Sequence, residues 1–204
     1  METYREDNSR TRYLTEEEEE RLLAQCKPHI YRVVLSAIHT GLRKSELLSL
    51  SWNHINFEHR LVTVEVSYAK KSEARSVPMS SRLTETWFPI RIADPNVPVF
   101  LNSKGKPYRG ISTAFNSAVK RAGIQDFTFH DLRHTFASRL VMRGVDLTTV
   151  KELMGHKHIN MTLRYAHLSP GHKHSAIAVL DQSAPNFAPP VSDANPLLSQ
   201  VIEK

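Results

Sequence analysis

The chain has 204 residues, a net charge of +6 and a pI of about 9.5, and 40% of its residues are hydrophobic. This length predicts one domain with a core of its own, and the single cysteine, Cys26, excludes an internal disulfide and favours a reducing compartment. No apolar stretch reaches the roughly 18 residues that a membrane span needs. The N-terminal METYREDNSR lacks the apolar segment of a secretion signal, so we expect a cytoplasmic protein with no membrane partner.

The positive charge is concentrated in the middle of the chain. Residues 41–181 carry 20 Lys and Arg against 11 Asp and Glu, whereas the segments on either side are slightly acidic. A basic block of this size suits a polyanion such as DNA. On charge alone, however, an ordinary basic protein explains the composition equally well.

The N-terminal part predicts three helices. Thr15 and Glu18 have the spacing of a capping box, and the run Glu16 to Glu20 fits the positive end of a helix dipole better than a metal site. Residues 28–40 predict a second helix that ends at Gly41, and residues 43–50 predict a short third one.

The pattern then changes to that of a small antiparallel sheet. Residues 61–66 alternate and are rich in β-branched side chains, which indicates a strand. Residues 67–74 are polar and suit a hairpin turn. Residues 75–78 form the expected return strand, whose proline, Pro78, places it at an edge or an end of the sheet.

The C-terminal part is predicted to be mostly helical. Helices are expected at residues 81–91, 110–122, 130–143, 146–154 and 160–167, with a short strand at 97–101 and a further helix possible at 170–181. The sequence therefore predicts a mostly helical α+β fold with a small antiparallel β-sheet at one edge.

Four polar stretches carry residues that suit phosphoryl transfer. They are Thr40–Leu47 (TGLRKSEL), Lys70-Lys71, Phe129–Ser138 (FHDLRHTFAS) and Leu153–Leu168 (LMGHKHINMTLRYAHL). This chemistry needs a positioned nucleophile and cationic hydrogen-bond donors around the phosphate. Arginine suits the second task because its planar fork binds two oxygens and keeps its charge. A tyrosine nucleophile must be activated, because the reference pKa of its hydroxyl is near 10.

Each of these residues has an ordinary alternative when it is taken alone. Arg43 could be a surface charge or a helix cap, and either lysine a solvated charge in the turn. His130 and His134, four residues apart, could be two metal ligands on one helix face, although no third ligand has a clear spacing. Tyr165 could be a half-buried core residue.

The order and spacing of the four stretches resemble the pattern of tyrosine recombinases, the phage integrase family. That pattern is TGLRxSEL, a lysine in a β-turn, HxLRH, LxGH, and a tyrosine nine residues after the last histidine. The resemblance covers residues 12–181. It implies a tyrosine recombinase catalytic domain that binds double-stranded DNA and needs neither a cofactor nor a metal ion.

The resemblance also implies a role for each matching residue. Arg43 and Arg133 would bind the non-bridging oxygens of the scissile phosphate, and His156 would donate a hydrogen bond to it. His130 would accept the proton of the Tyr165 hydroxyl, which attacks the phosphate. A hairpin lysine would protonate the leaving 5′ oxygen; Lys70 is preferred, with Lys71 as the alternative. Glu46 would support Arg43 rather than react.

The function expected from the resemblance is site-specific DNA recombination through a 3′-phosphotyrosyl intermediate, for integration or excision of a phage or mobile element. A chromosome-dimer resolvase and a type IB topoisomerase share this chemistry and remain alternatives. A DNA-binding regulator without activity is a rival of another class, which the intact residue set disfavours. A metal-dependent hydrolase using His130 and His134 is a further one.

Three segments follow from composition and resemblance. Residues 1–12 are predicted to be a linker remnant, residues 13–181 the catalytic domain and residues 182–204 a proline-containing tail. Family members usually carry a DNA-clamping domain before the linker, so we expect a fragment or a short member. The tail ends in LLSQVIEK, which could dock in cis or on a neighbouring protomer, in a tetramer that assembles on DNA.

Overall fold

The computed structural model describes residues 11–65, 74–108, 110–170 and 177. The chain divides into two units, residues 1–170 and 171–204, and the fold described here is that of the first. The possible helix at 170–181, apart from its first residue and Ile177, and the tail at 182–204 lie outside the described residues. So do Val66 at the end of the predicted strand and residues 67–73 of the predicted turn at 67–74, and with them both candidate lysines.

The three N-terminal helices are confirmed. Helix α1 (Glu16–Gln25) begins at Thr15, whose hydroxyl accepts a hydrogen bond from the Glu18 amide while the Glu18 carboxylate accepts one from the Thr15 amide. Both halves of the capping box are therefore formed. Helix α2 (Pro28–Thr40) ends at Gly41 in the left-handed conformation, and α3 (Lys44–Leu48) follows it.

The sheet has three antiparallel strands in the order β1-β2-β3. Strand β2 (Leu61–Val64) pairs with β3 (Arg75–Pro78), which lies at the edge as predicted for a strand that contains a proline. Sequence analysis missed β1 (Ile55–Asn56), because two residues are too short to show an alternating pattern.

The C-terminal half is helical, with two corrections to the prediction. Its helices are α4 (Ser81–Trp87), α5 (Ser112–Arg121), α6 (Asp131–Met142), α7 (Leu147–Met154) and α8 (Asn160–Leu163). The strand predicted at 97–101 is wrong, because this segment forms only the isolated bridges Ser51–Pro98 and Leu101–Pro107. The predicted helix at 160–167 is too long, and Tyr165 lies between α8 and a 3-10 turn (Ala166–Leu168).

Helix α2 lies in the main core and packs against α6. Its Val33, Val34 and Leu35 are fully buried, which explains the continuous apolar run in this helix. A second, smaller cluster joins α6 and α7 to Tyr165. None of the helices in the described ranges has the length and apolar character needed to cross a membrane.

Candidate active site

The end of α2 and the start of α3 form one wall of the candidate site. Gly41 has a φ of 63° and lies so close to the ring of Phe136 on α6 that a Cβ atom would clash with it. The end of α2 therefore lies directly against α6. Arg43, which caps α3, donates to Glu46 Oε1 at 2.8 Å and to the Gly155 carbonyl at 3.3 Å, and its side chain is 41% exposed.

Arg133 lies in the floor of the site. Its residue is 3% exposed, and its two Nη atoms donate to the carbonyls of Gly41 and Met154, each at 2.5 Å. These carbonyls belong to the ends of α2 and α7, where the helix dipoles are negative. Burial is the main cause that lowers the pKa of Arg133, to about 10, so the guanidinium stays charged at neutral pH.

Arg75 joins the sheet to helices α3 and α7. From β3 it donates to both Glu46 oxygens, at 2.8 and 3.2 Å, and its Nε donates to the Leu153 carbonyl near the end of α7 at 3.2 Å. Burial tends to raise the pKa of Glu46, but the hydrogen bonds from Arg75 and Arg43 outweigh it and lower the pKa to about 2. Glu46 is therefore a carboxylate that holds two arginines, as expected for a supporting residue.

His156 follows the left-handed Gly155 that ends α7, as the sequence predicted. Its Nδ1 lies 2.9 Å from the hydroxyl of Thr162, and only 9% of the residue is exposed. Burial, and then the charges of Arg133, Arg43, Arg164 and Arg75, lower the pKa of His156 to about 4. The imidazole is therefore neutral at neutral pH.

Tyr165 is 1% exposed, and its hydroxyl lies 2.6 Å from Nδ1 of His134. Burial raises the pKa of the hydroxyl to about 12, although the nearby charges of Arg133 and Arg164 act in the opposite direction. The hydroxyl is thus protonated at neutral pH and must lose its proton to act as a nucleophile.

His130 is the N-cap of α6, and its residue is exposed. It therefore does not lie inside a helix, and its ring meets His134 edge to face with centroids 5.0 Å apart. Burial of the ring and the charge of Arg133 lower its pKa. A cleft of about 700 Å³ opens beside His130 and has Lys44 and Lys120 in its walls.

The structure brings five of the six predicted residues into one region, and the sixth, the hairpin lysine, lies outside the described residues. Two residues with direct contacts in the site were not assigned there from the sequence. His134 belongs to the HxLRH motif but was given no role there and was otherwise considered only as a metal ligand, and Arg75 was considered only as part of a strand. The contacts of both arise between distant elements, so no local pattern could have revealed them.

The region is rich in cations. Four arginines influence the pKa of His156, and Glu46 is the carboxylate that pairs with two of them. Within the described ranges, no three His, Cys, Asp or Glu side chains form a group that could hold a metal ion. Guanidinium groups around a neutral imidazole and a tyrosine hydroxyl are groups with the chemistry to bind a phosphate ester beside a nucleophile.

A family model and the related proteins all assign the chain to the same family. The model of the family described as "Phage integrase family" matches residues 12–172. The integrase of Salmonella phage P22 is 35% identical over 178 residues, which cover 81% of this chain and 46% of that protein. The tyrosine recombinase XerC of Staphylococcus aureus is 36% identical over 149 residues, covering 68% of this chain and 49% of that protein. The chain thus spans about half the length of these relatives.

Solved structures agree with this result. The catalytic domain of bacteriophage HP1 integrase has a TM-score of 0.66 and 31% identity, and the match covers 85% of this chain and 98% of that one. The Tn1549 transposon integrase, solved in complex with a circular intermediate DNA, has a TM-score of 0.70 and 25% identity, covering 87% and 67%. The matched region thus corresponds to nearly the whole of one catalytic domain.

Proposed function

The chain belongs to the phage integrase family, and on that premise we propose that it is a site-specific DNA recombinase that cuts and rejoins strands through a 3′-phosphotyrosyl intermediate. One observation carries the proposal: Tyr165 is buried in the same region as Arg133 and His156, two groups that can bind a phosphate.

In the proposed reaction, Arg43 and Arg133 bind the non-bridging oxygens of the scissile phosphate. The two hydrogen bonds of Arg133 leave three of its five N–H groups without a partner among the described residues. His156 adds a hydrogen bond to the same phosphate. Glu46 and the α7 carbonyls hold the arginines in place, so little reorganisation is needed when the phosphate enters.

Bond making and breaking balance without an external energy source. The Tyr165 oxygen bonds to phosphorus and its proton passes to His130, while the 5′ oxygen leaves with a proton from Lys70. The 5′ hydroxyl of a second strand then attacks the phosphotyrosine and gives its proton to Lys70, while the leaving Tyr165 oxygen recovers its proton from His130. One phosphodiester is exchanged for another through an ester of similar energy, so the step requires neither ATP nor a metal cofactor.

The substrate class we propose is double-stranded DNA, bound by protomers that assemble into a tetramer. The Tn1549 integrase structure contains DNA, which supports the nucleic-acid partner. The relatives with wider coverage of this chain are phage integrases, which favours integration or excision of a phage or mobile element over the other recombination systems. The cytoplasm suits both this substrate and the single thiol, Cys26, whose pKa is raised by burial to about 11.

A trapping experiment with randomised DNA tests this function whatever the target sequence is. The protein is incubated with a pool of duplexes, each carrying a nick beside randomised sequence, so that cleavage releases a short strand and prevents rejoining. We expect an SDS-resistant adduct from the unmodified protein, a similar amount from Tyr31→Phe, and none from Tyr165→Phe. An adduct from Tyr165→Phe would contradict the proposal, as would its absence from protein that binds the pool.

A further inference from the structure

We propose that His134 is a positioning residue that holds the Tyr165 hydroxyl in place beside Arg133 before DNA binds. The inference rests on the proposed function, since it assumes that Tyr165 is the nucleophile. The observation behind it is a contact in the folded structure, the hydrogen bond between His134 and the Tyr165 hydroxyl, which the family pattern does not include. This bond joins α6 to the segment between α8 and the following 3-10 turn.

The direction of this hydrogen bond follows from the burial of both groups. The hydroxyl of Tyr165 is a donor that needs an acceptor when it is removed from water. Among the described residues, its hydrogen-bond partner is Nδ1 of His134, at 2.6 Å. Burial, and then the nearby His130, lower the pKa of His134 to about 4, so its ring is neutral at neutral pH. A neutral ring with the hydrogen on Nε2 leaves Nδ1 as the acceptor.

His130 does not share this contact. It lies at the exposed start of α6, beside the cleft, whereas His134 is one turn further along and contacts Tyr165, a member of the second hydrophobic cluster. The tyrosine ring packs in that cluster with Val150 and Met154 of α7. The phenol ring is thus fixed by apolar contacts and its hydroxyl by one hydrogen bond, which leaves the nucleophile a single orientation.

This arrangement gives the two histidines different tasks. His134 fixes the nucleophile in the protein without DNA. When a phosphate enters, the hydroxyl turns its proton from His134 towards the exposed His130, which receives it. Orientation of a nucleophile before the substrate arrives lowers the entropic cost of attack, and a displacement of about 1 Å can cost roughly a hundredfold in rate. Loss of the His134 acceptor should therefore slow cleavage without changing DNA affinity.

The first test observes the hydrogen bond directly and needs no DNA. In protein with ¹⁵N-labelled histidine, long-range ¹H–¹⁵N correlation spectra show which ring nitrogen of His134 lacks a proton, with His134→Asn used for assignment. We expect Nδ1 to be unprotonated and its resonance to move in Tyr165→Phe. A protonated Nδ1, or a resonance that Tyr165→Phe leaves unchanged, would overturn the inference.

The second test uses two isosteric amides. The Oδ1 atom of Asn occupies the position of Nδ1, whereas the polar atoms of Gln reach only the position of Nε2. With a duplex recovered from the trapping pool, we expect His134→Gln to form the adduct at least about tenfold more slowly than the unmodified protein, and His134→Asn to restore most of the rate. His59→Gln, on an exposed loop residue, is the control, and DNA binding should be equal throughout.

The outcomes separate the inference from the function on which it rests. Equal rates for the Asn and Gln variants, whether both fast or both slow, contradict the positioning role even if Tyr165→Phe abolishes the adduct. Failure of the unmodified protein to form any adduct contradicts the proposed function instead. Melting temperatures of the two variants show whether a slow rate merely reflects a destabilised fold.

Discussion

The charge of Arg133 is balanced by the ends of two helices rather than by a carboxylate. Its partners are the carbonyls of Gly41 and Met154, which carry only partial negative charge. A carboxylate in direct contact would satisfy the guanidinium fully and compete with a phosphate for its fork. The structure instead leaves a buried cation whose full counter-charge would come from the substrate.

The proposed general acid, which protonates the leaving 5′ oxygen, is one of two neighbouring residues: Lys70, which is preferred, or Lys71. Replacing the 5′ bridging oxygen at the cleavage site by sulfur removes the need for an acid, because a thiolate leaves without a proton far more readily than an alkoxide. We expect Lys70→Ala to slow adduct formation on ordinary DNA by about a hundredfold or more, and the sulfur substrate to restore it.

Lys71→Ala is the matched control for this measurement. It removes the same charge one position away, and we expect the rates on both substrates to stay close to those of the unmodified protein. A collapse of cleavage in Lys71→Ala that sulfur corrects would assign the acid to Lys71 instead. A loss that sulfur does not correct in either variant would argue against a hairpin lysine as the acid.

Strand β3 is linked to Arg43 through one carboxylate, that of Glu46. Arg75 and Arg43 both donate to Glu46. If Arg75 is removed, the Glu46 carboxylate is free to move, and Arg43, which is bound to it, moves as well. In a double-mutant cycle on adduct formation, Arg75→Met should slow the unmodified protein more than it slows Arg43→Lys. We expect a coupling of about 1 kcal/mol, within the range for residues of one network. Additive effects would show that Arg75 acts independently of Arg43.

The contact between α2 and α6 depends on a glycine. Gly41 and Gly105 both have left-handed φ angles, of 63° and 69°. A Cβ atom added to Gly41 would collide with the ring of Phe136, whereas one added to Gly105 would meet no other atom within 4 Å. Alanine should cost roughly 1–2 kcal/mol at either position for the backbone, and at Gly41 a further 1–3 kcal/mol or so for the clash.

Urea unfolding of Gly41→Ala and Gly105→Ala compares these two costs. The Gly105 variant shares the backbone strain and therefore isolates the effect of the ring. Equal losses of unfolding free energy would show that Phe136 moves aside without cost and that the helix contact is not tightly packed.

Most of the helices and strands could be predicted from the sequence, because the residues that begin or end them are close to them along the chain. The capping box at Thr15, the glycines at 41 and 155 and the proline at 78 each act within a few residues. The order and spacing of the arginines, histidines and Tyr165 likewise lie along the chain. The contacts of Arg75 with Glu46 and of His134 with Tyr165 span 29 and 31 residues, and they exist only after packing.

The molecule as a whole should lose stability as the pH falls, in two stages. His134 and His156 have pKa values of about 4, below the usual 6.5, so the stability they contribute is complete above pH 6.5 and decreases towards pH 4. Glu46 adds a second loss below its usual 4.5, towards pH 2. Each proton taken up on unfolding contributes a slope of about 1.4 kcal/mol per pH unit.

Unfolding free energies measured between pH 7 and pH 3 test this expectation. His156→Asn keeps an acceptor opposite Thr162 but cannot be protonated, so its slope between pH 6.5 and 4 should be smaller. The exposed His59→Gln should keep the full slope. A constant unfolding free energy across this range in the unmodified protein would mean that the two rings are not buried in neutral form.

In the proposed reaction, Tyr165 becomes covalently attached to DNA. The most direct measurement is mass spectrometry of the trapped adduct after nuclease and trypsin digestion. We predict a nucleotide on the peptide that contains Tyr165, joined through the 3′ phosphate and leaving a free 5′ hydroxyl on the other strand end. A nucleotide attached to any other residue, or joined to Tyr165 through a 5′ phosphate, would contradict the mechanism.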